Sequence, residues 1–295
     1  MYRPSYIWQL RHRKLELGPR TLVMGILNVT PDSFSDGGKF LSHDHAVGHA
    51  LQMLDEGADV LDVGGESTRP GAPTGDAGLS ADEELRRIMP VVEDILRERP
   101  QTIISVDTYK AEVALAALAA GAEIVNDISA LRWDSQMAAT VAEFHCGVIL
   151  MHTRGRPHEW RDMPASADIV VTVKTELHEF ALAAMAHGIA KDQIMLDPGF
   201  GFGKKFDQNY PLLAGLSKLH ELGFPLLAGT SRKSFIGRTL AREGKDAPMD
   251  QRLYGTLAAV TASVLQGSHM VRVHDVRPAV DAVKIADAVS SQSRA

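Results

Sequence analysis

From Thr21 onward the chain alternates between two patterns. Short runs dense in Val, Ile, Leu and Met lead into polar, glycine-rich stretches, and these lead into longer segments with apolar residues three and four apart. The short runs predict buried strands at 21–27, 59–63, 102–106, 123–126, 147–151, 193–197, 225–229 and 270–273. The longer segments predict helices at 43–57, 80–99, 109–120, 134–145, 166–188, 207–222, 249–267 and 276–290. In the fifth of these, Val170, Val173, Leu177, Phe180, Ala181 and Ala184 share one face. Gly57, Gly121, Gly188 and Gly223 each stand just past a predicted helix, where a left-handed residue ends it. Before this rhythm begins, Ile7, Leu15 and Leu17 are spaced among charges and Gly18-Pro19 makes a turn. Residues 1–20 therefore read as a short β-hairpin capping one end of the fold, and 21–295 as one domain.

Eight strands alternating with eight helices predict an α/β fold, a (β/α)8 TIM barrel. An open doubly wound sheet is the structural rival. That fold would place a Gly-x-Gly-x-x-Gly turn after its first strand, and none stands there.

Composition narrows the picture. With 45% hydrophobic and 23% charged residues the chain reads as a globular protein, and a net charge of −6 argues against a general nucleic-acid binder. The start of the chain has no apolar segment of signal-peptide type, and no run is long enough to span a bilayer, so a cytoplasmic protein without membrane attachment is expected. The single cysteine, Cys146, lies in an apolar run and reads as a buried, inert thiol.

In a barrel, chemistry gathers at the C-terminal strand ends. Here each of them carries polar groups: Asn28; Gly64 to Gly71; Asp107-Thr108; Asn126-Asp127; Met151-His152; Asp197-Pro198-Gly199; Gly229 to Ser234; and Arg272 with His274-Asp275. Any one could be a helix cap, as Asp134 before the fourth helix is expected to be, but eight together are hard to explain that way. Asp107, Asn126, Asp197 and Lys233 offer the donors and acceptors that suit a flat heterocycle with an amide-like edge. Arg272, His274 and Asn28 lie on adjacent strands of a closed barrel and could hold an anion such as pyrophosphate, with Mg²⁺ on Asn28. The first strand-to-helix loop, Gly25 to Gly38, is longer than a connector requires and carries Phe34 and Asp36 among turn residues.

Seven segments, in order, resemble the dihydropteroate synthases of the pterin-binding barrel family: Asn28 to Gly38, Gly64 to Gly71, Ser105 to Lys110, Asn126 to Ile128, Asp197 to Gly203, Gly229 to Gly237 and Val271 to Val276. The resemblance implies a transferase of folate synthesis. It would condense 6-hydroxymethyl-7,8-dihydropterin diphosphate with p-aminobenzoate, releasing pyrophosphate in an SN1-like step. By the same resemblance, Asp107, Asn126, Asp197 and Lys233 bind the pterin and Met151 packs on its face. Asn28 holds Mg²⁺, and Arg272 and His274 hold the diphosphate. Phe34, Asp36, Thr68, Arg69 and Pro70 belong to two loops over the site. Phe202 and Ser234 contact substrate, Ser234 through the p-aminobenzoate carboxylate. Lys233, Asp197, Asp36 and Arg69 carry the catalytic roles, and a homodimer is expected. The chain departs from the family pattern after His152, where it reads Thr153-Arg154-Gly155-Arg156.

Two look-alikes are set aside. His43, His45 and His49 have helical metal-site spacing but fit a solvent-facing helix better. Gly199 to Lys204 resembles a phosphate loop but lacks its spacing and the Ser or Thr after Lys. The alternative functions are a methyltetrahydrofolate methyltransferase and a pterin-binding paralogue without catalysis.

Overall fold

The computed structural model describes residues 3–29, 39–66 and 78–292. β1 (Tyr6–Gln9) and β2 (Lys14–Leu17) form an antiparallel hairpin. There follow β3 (Leu22–Asn28), α1 (Lys39–Asp55), β4 (Val60–Gly64), α2 (Ala81–Glu98), β5 (Ile104–Asp107), α3 (Ala111–Ala120), β6 (Ile124–Asp127) and α4 (Met137–Phe144). The second half contains β7 (Gly147–Met151), α5 (Ile169–Ala186), β8 (Ile194–Asp197), α6 (Asn209–Ala214), β9 (Leu227–Ala228), α7 (Ser234–Thr239), α8 (Leu253–Leu265), β10 (Met270–Val273) and α9 (Val276–Gln292). β3 to β10 make one parallel sheet in the order β8-β7-β6-β5-β4-β3-β10-β9. A parallel bridge between Leu196 and Leu226 brings the two ends of that sheet together, and the predicted barrel is the observed fold.

Alternation along each strand sorts the side chains. Val23, Leu61, Val63, Val106, Val125, Val148 and Val271 point outward into the main core beneath the helices. The alternate positions, among them Met24, Val60, Ile124, Ile149, Met195 and Met270, fill the floor of the barrel together with Trp8, Leu10 and Leu17 of the hairpin. Trp8 is fully buried and donates its indole N–H to Gln193 O at 2.8 Å. Gly147 makes room for this plug, since a Cβ there would lie 2.6 Å from Leu10 Cδ2. Two residues further along the same inward rows, the side chains turn polar: Asp62, Ser105, Asn126, Asp197 and Arg272. The site is thus the upper half of the barrel interior, standing on an apolar floor. Arg3 fastens the bottom, donating to Gly18 O at 3.0 Å and pairing with Asp287 of α9 at 3.0 Å.

Three local expectations change. The helix expected over 207–222 is broken into a 3₁₀ turn (Phe206–Gln208), α6 and a second 3₁₀ stretch (Leu216–Leu222). Pro211 sits in the first turn of α6, where its missing N–H is harmless. Gly215 follows at a point where a Cβ would press to 2.8 Å from Val170. Asp134 does not cap α4, whose first position follows Gln136. Its carboxylate accepts from Ala111 N at 2.7 Å, capping α3 instead, and from Gln136 N at 2.9 Å. Ser234 to Thr239 form a short helix of their own, α7. The four helix-ending glycines do take positive φ, from 75° to 117°. His43 pairs with Asp94 at 2.8 Å, and His45 and His49 are exposed. Cys146 is buried, and burial pushes its thiol up to about 12. Among the described residues no helix is long and apolar enough to cross a membrane.

Because Trp8 closes the barrel floor, Trp8→Ala should cost about 3–5 kcal/mol of stability, read as a lowered denaturant midpoint with unchanged cooperativity.

Candidate active site

The polar half of the barrel interior is organised by Arg272 on β10. Its Nε donates to Asp62 Oδ2 and one terminal nitrogen to Asp107 Oδ2, both at 2.5 Å. Asp62 Oδ2 also accepts from Asn126 Nδ2 at 2.9 Å, so one carboxylate orients a guanidinium and an amide together. On the opposite side Asp197 Oδ1 accepts from Gly199 N at 2.7 Å. Among the described residues the well therefore sets three carboxylates, of Asp62, Asp107 and Asp197, against two cations, Arg272 and Lys233. Burial pushes Asp107 up to about 7 against the pull of Arg272, and burial likewise raises Asp197. Burial, aided by Arg272, brings Lys233 down to about 8. Among the described residues Asp62 Oδ1, Ser105 Oγ and Thr230 Oγ1 are buried without a hydrogen-bond partner. Such atoms cost free energy unless something polar meets them.

Lys233 is aimed by strain next to it. Arg232 holds a left-handed φ of 56°, kept there by two hydrogen bonds to Asp275 (3.0 and 2.6 Å) and by its N–H donating to Thr256 Oγ1 at 3.0 Å. Lys233 then stands at the N-cap of α7, with its Nζ 3.9 Å from the ring centre of Phe202. Phe202 meets Trp160 edge to face at 5.1 Å. Met151 is buried with Tyr109 and Ile128, and Trp133 and Phe202 pack against them, giving the well an apolar wall. His274 has Nδ1 3.0 Å from Ser231 Oγ. Burial and the neighbouring Arg272 and Arg232 lower His274 to about 3, so the imidazole is neutral.

The structure gathers Asp107, Asn126, Asp197, Lys233, Met151, Phe202, Arg272 and His274 around one well. Asn28 is half-buried at the end of β3, and Ser234 stands exposed at the rim. Arg272 faces two carboxylates rather than the mouth of the well. Phe34, Asp36, Thr68, Arg69 and Pro70 lie outside the described residues. Sequence reasoning passed over Asp62, although an acid between Leu61 and Val63 in a buried strand signals an inward ion pair. It placed His152 among the polar strand ends and Lys204 in a phosphate-loop look-alike without joining them, yet their nitrogens lie 2.9 Å apart beneath the turn that carries Phe202.

A carboxylate whose folded pKa is raised makes the folded state bind the extra proton, so its contribution to stability is lost as pH rises from about 4 to about 7. Asp107→Asn should remove that loss and gain about 2 kcal/mol more stability over wild type at pH 8 than at pH 5, measured by denaturant unfolding at both pH values.

The pterin binding enzyme family profile matches residues 24–274. Dihydropteroate synthase of Escherichia coli K12 is 46% identical over 91% of this chain and 92% of its own length. The Bacillus subtilis enzyme of the same name is 44% identical over 95% and 94%. A Xanthomonas albilineans dihydropteroate synthase solved with 4-aminobenzoic acid superposes with a TM-score of 0.88 and 44% identity, covering 98% of this chain and 99% of that one. A second structure from that organism, in complex with 7,8-dihydropteroate, gives 0.84 and 42%, covering 97% and 99%. A sequence match running from the first barrel strand to the last, with the same fold beneath it, makes this chain a member of the pterin binding enzyme family and one of its dihydropteroate synthases.

Proposed function

We propose that the well joins a pterin diphosphate to p-aminobenzoate, its carboxylates, amide and lysine holding the pterin and its rim holding the amine. The observation that carries this reading is the set of buried Asn126 and Asp197 with half-buried Asp107 and Lys233 beside an apolar wall. That set complements the donor and acceptor edge of a flat amino-pyrimidine and the face of its ring. A carboxylate pairs with such an edge through two hydrogen bonds. When the edge takes up Asp107, one arm of Arg272 is released toward the diphosphate. His274, neutral and with Nδ1 turned to Ser231, offers an Nε2–H to the same group. Ser234, exposed at the rim, meets the carboxylate of p-aminobenzoate, and Phe202 packs on its ring.

Asn28 fits Mg²⁺ as a single neutral oxygen ligand. Mg²⁺ commonly binds through few protein ligands, and water and diphosphate oxygens would complete its shell. When bound, the ion would neutralise charge on the diphosphate and improve it as a leaving group.

The C–O bond between the exocyclic methylene and the diphosphate breaks, its electron pair leaving with the diphosphate. The pterin ring delocalises the resulting cation, the amine nitrogen of p-aminobenzoate attacks the methylene, and its proton passes to solvent. No protein nucleophile is required. Lys233 and Asp197 hold the ring, and the apolar wall limits water that would compete for the cation. The exposed side chains of Tyr254 on α8 and of Ile285 and Val289 on α9 support a homodimer through these helices.

Purified protein with both substrates should form pteroate and pyrophosphate in equal amounts, dependent on Mg²⁺. Binding of the pterin diphosphate without turnover would indicate the non-catalytic paralogue, and binding of neither substrate would turn attention to methyl transfer. Lys233→Ala and Asp197→Ala should each lower kcat/KM by roughly 10²–10³ while leaving the unfolding transition intact. Normal turnover in both variants would overturn the residue assignment.

A further inference from the structure

The turn after β8 carries Phe202 and is fastened by the buried side-chain nitrogen of Lys204, which burial lowers to about 7. Lys204 Nζ lies 2.7 Å from Gly199 O, 3.1 Å from Phe202 O, 3.2 Å from His152 O and 2.9 Å from His152 Nδ1. Below that pH Nζ is an ammonium, and its three protons meet four acceptors drawn from two loops, those after β7 and β8. The loops touch at their backbones. Gly199 has a φ of 65°, and a Cβ there would stand 2.0 Å from His152 O. No other residue type fits that approach, so the turn's path depends on what holds the two backbones together.

His152 Nδ1 accepts from Lys204 only while the ring proton is on Nε2. Glu176 on α5 fixes that tautomer, with Oε2 3.0 Å from Nε2. Burial and the nearby Lys204 lower His152 to about 4, which keeps the ring neutral. The His152 side chain is fully buried, whereas that of Glu176 is 36% exposed, so the chain of contacts runs from the surface of α5 to the interior. At its inner end the Phe202 ring supports Lys233 Nζ.

We propose that Glu176, His152 and Lys204 form a positioning relay that holds the turn under Phe202 and thereby sets the affinity of the site for its aromatic amine. The proposal rests on the reading that Phe202 lines the amine's pocket. Removing the Glu176 acceptor lets the ring proton move to Nδ1, where it confronts the N–H groups of Lys204. The ammonium then loses its nitrogen acceptor, the turn loosens, and Phe202 shifts from Lys233. Of the pterin contacts only Lys233 meets the Phe202 ring, while Asp107, Asn126 and Asp197 on β5, β6 and β8 keep the edge in place.

The test compares wild type with Glu176→Leu, Glu176→Gln and Phe202→Ala, reading KM for p-aminobenzoate, KM for the pterin diphosphate and kcat. Glu176 lies at the helix surface, so its variants keep the fold. Glu176→Leu should raise the p-aminobenzoate KM about 5-fold and leave the pterin diphosphate KM within about 2-fold. Glu176→Gln should restore the wild-type value, because its amide oxygen still accepts from Nε2–H. If Phe202→Ala raises the amine KM and Glu176→Leu does not, the relay is refuted while the pocket stands. If Phe202→Ala leaves the amine KM unchanged, the pocket assignment fails and the relay with it. A parallel rise of both KM values in Glu176→Leu, or no recovery in Glu176→Gln, reduces the contact to general stability and overturns the proposal.

Discussion

The guanidinium of Arg272, shared between Asp62 and Asp107, is the contact on which the barrel interior depends. It joins the last strand of the barrel to the second and third. An unpaired charge at this depth is strongly destabilising, so a layer of three acids above an apolar floor requires a cation placed among them. Arg272 reaches them only because β3 pairs with β10 and closes the sheet. The same carboxylate that receives Arg272 also turns Asn126. Among the described residues three acids stand against two cations, and several buried oxygens lack partners. A cavity left in that condition favours a ligand rich in N–H groups.

Above the strands, the loops follow a second rule. Irregular backbone leaves carbonyls without helix or sheet partners, and buried carbonyls need donors. Here basic side chains supply them repeatedly. Lys204 serves Gly199, Phe202 and His152; Arg252 serves Arg232 and Ala247; Arg132 serves Ser129 and Thr153. The basic residues around the mouth are thus partly internal fasteners. Several βα loops can be held in fixed but non-repetitive paths this way, which a site built from eight strand ends requires.

Much of this was legible in the sequence because two periodicities were strong. Short apolar strand runs and helices ended by glycine follow from short-range sterics, and Gly57, Gly121, Gly188 and Gly223 behave as local chemistry demands. The polar strand ends were visible for the same reason. What stayed hidden depended on partners far along the chain. Asp62 looked like one polar residue in a buried strand until Arg272, 210 residues later, was set beside it. Lys204 looked like an imitation of a phosphate loop, because nothing local shows that its ammonium faces the protein's own carbonyls. Asp134 was read as capping the helix after it, but its partner is the helix before. The helix expected across 207–222 failed at Gly215, where packing against Val170 outweighed helical periodicity.

The closure between β3 and β10 also bears on how the molecule is made. During synthesis the acids of β4 and β5 leave the ribosome long before Arg272 is joined to the chain. A nascent barrel lacking β10 would hold its carboxylates uncompensated and its sheet with two open edges, so the half-made interior has reason to stay hydrated and loosely packed. Arg3 adds to the delay, since its partner Asp287 comes later still. β10 and α9 therefore act as a keystone, and the ligand-ready cavity comes into being only once they have joined the strands made before them.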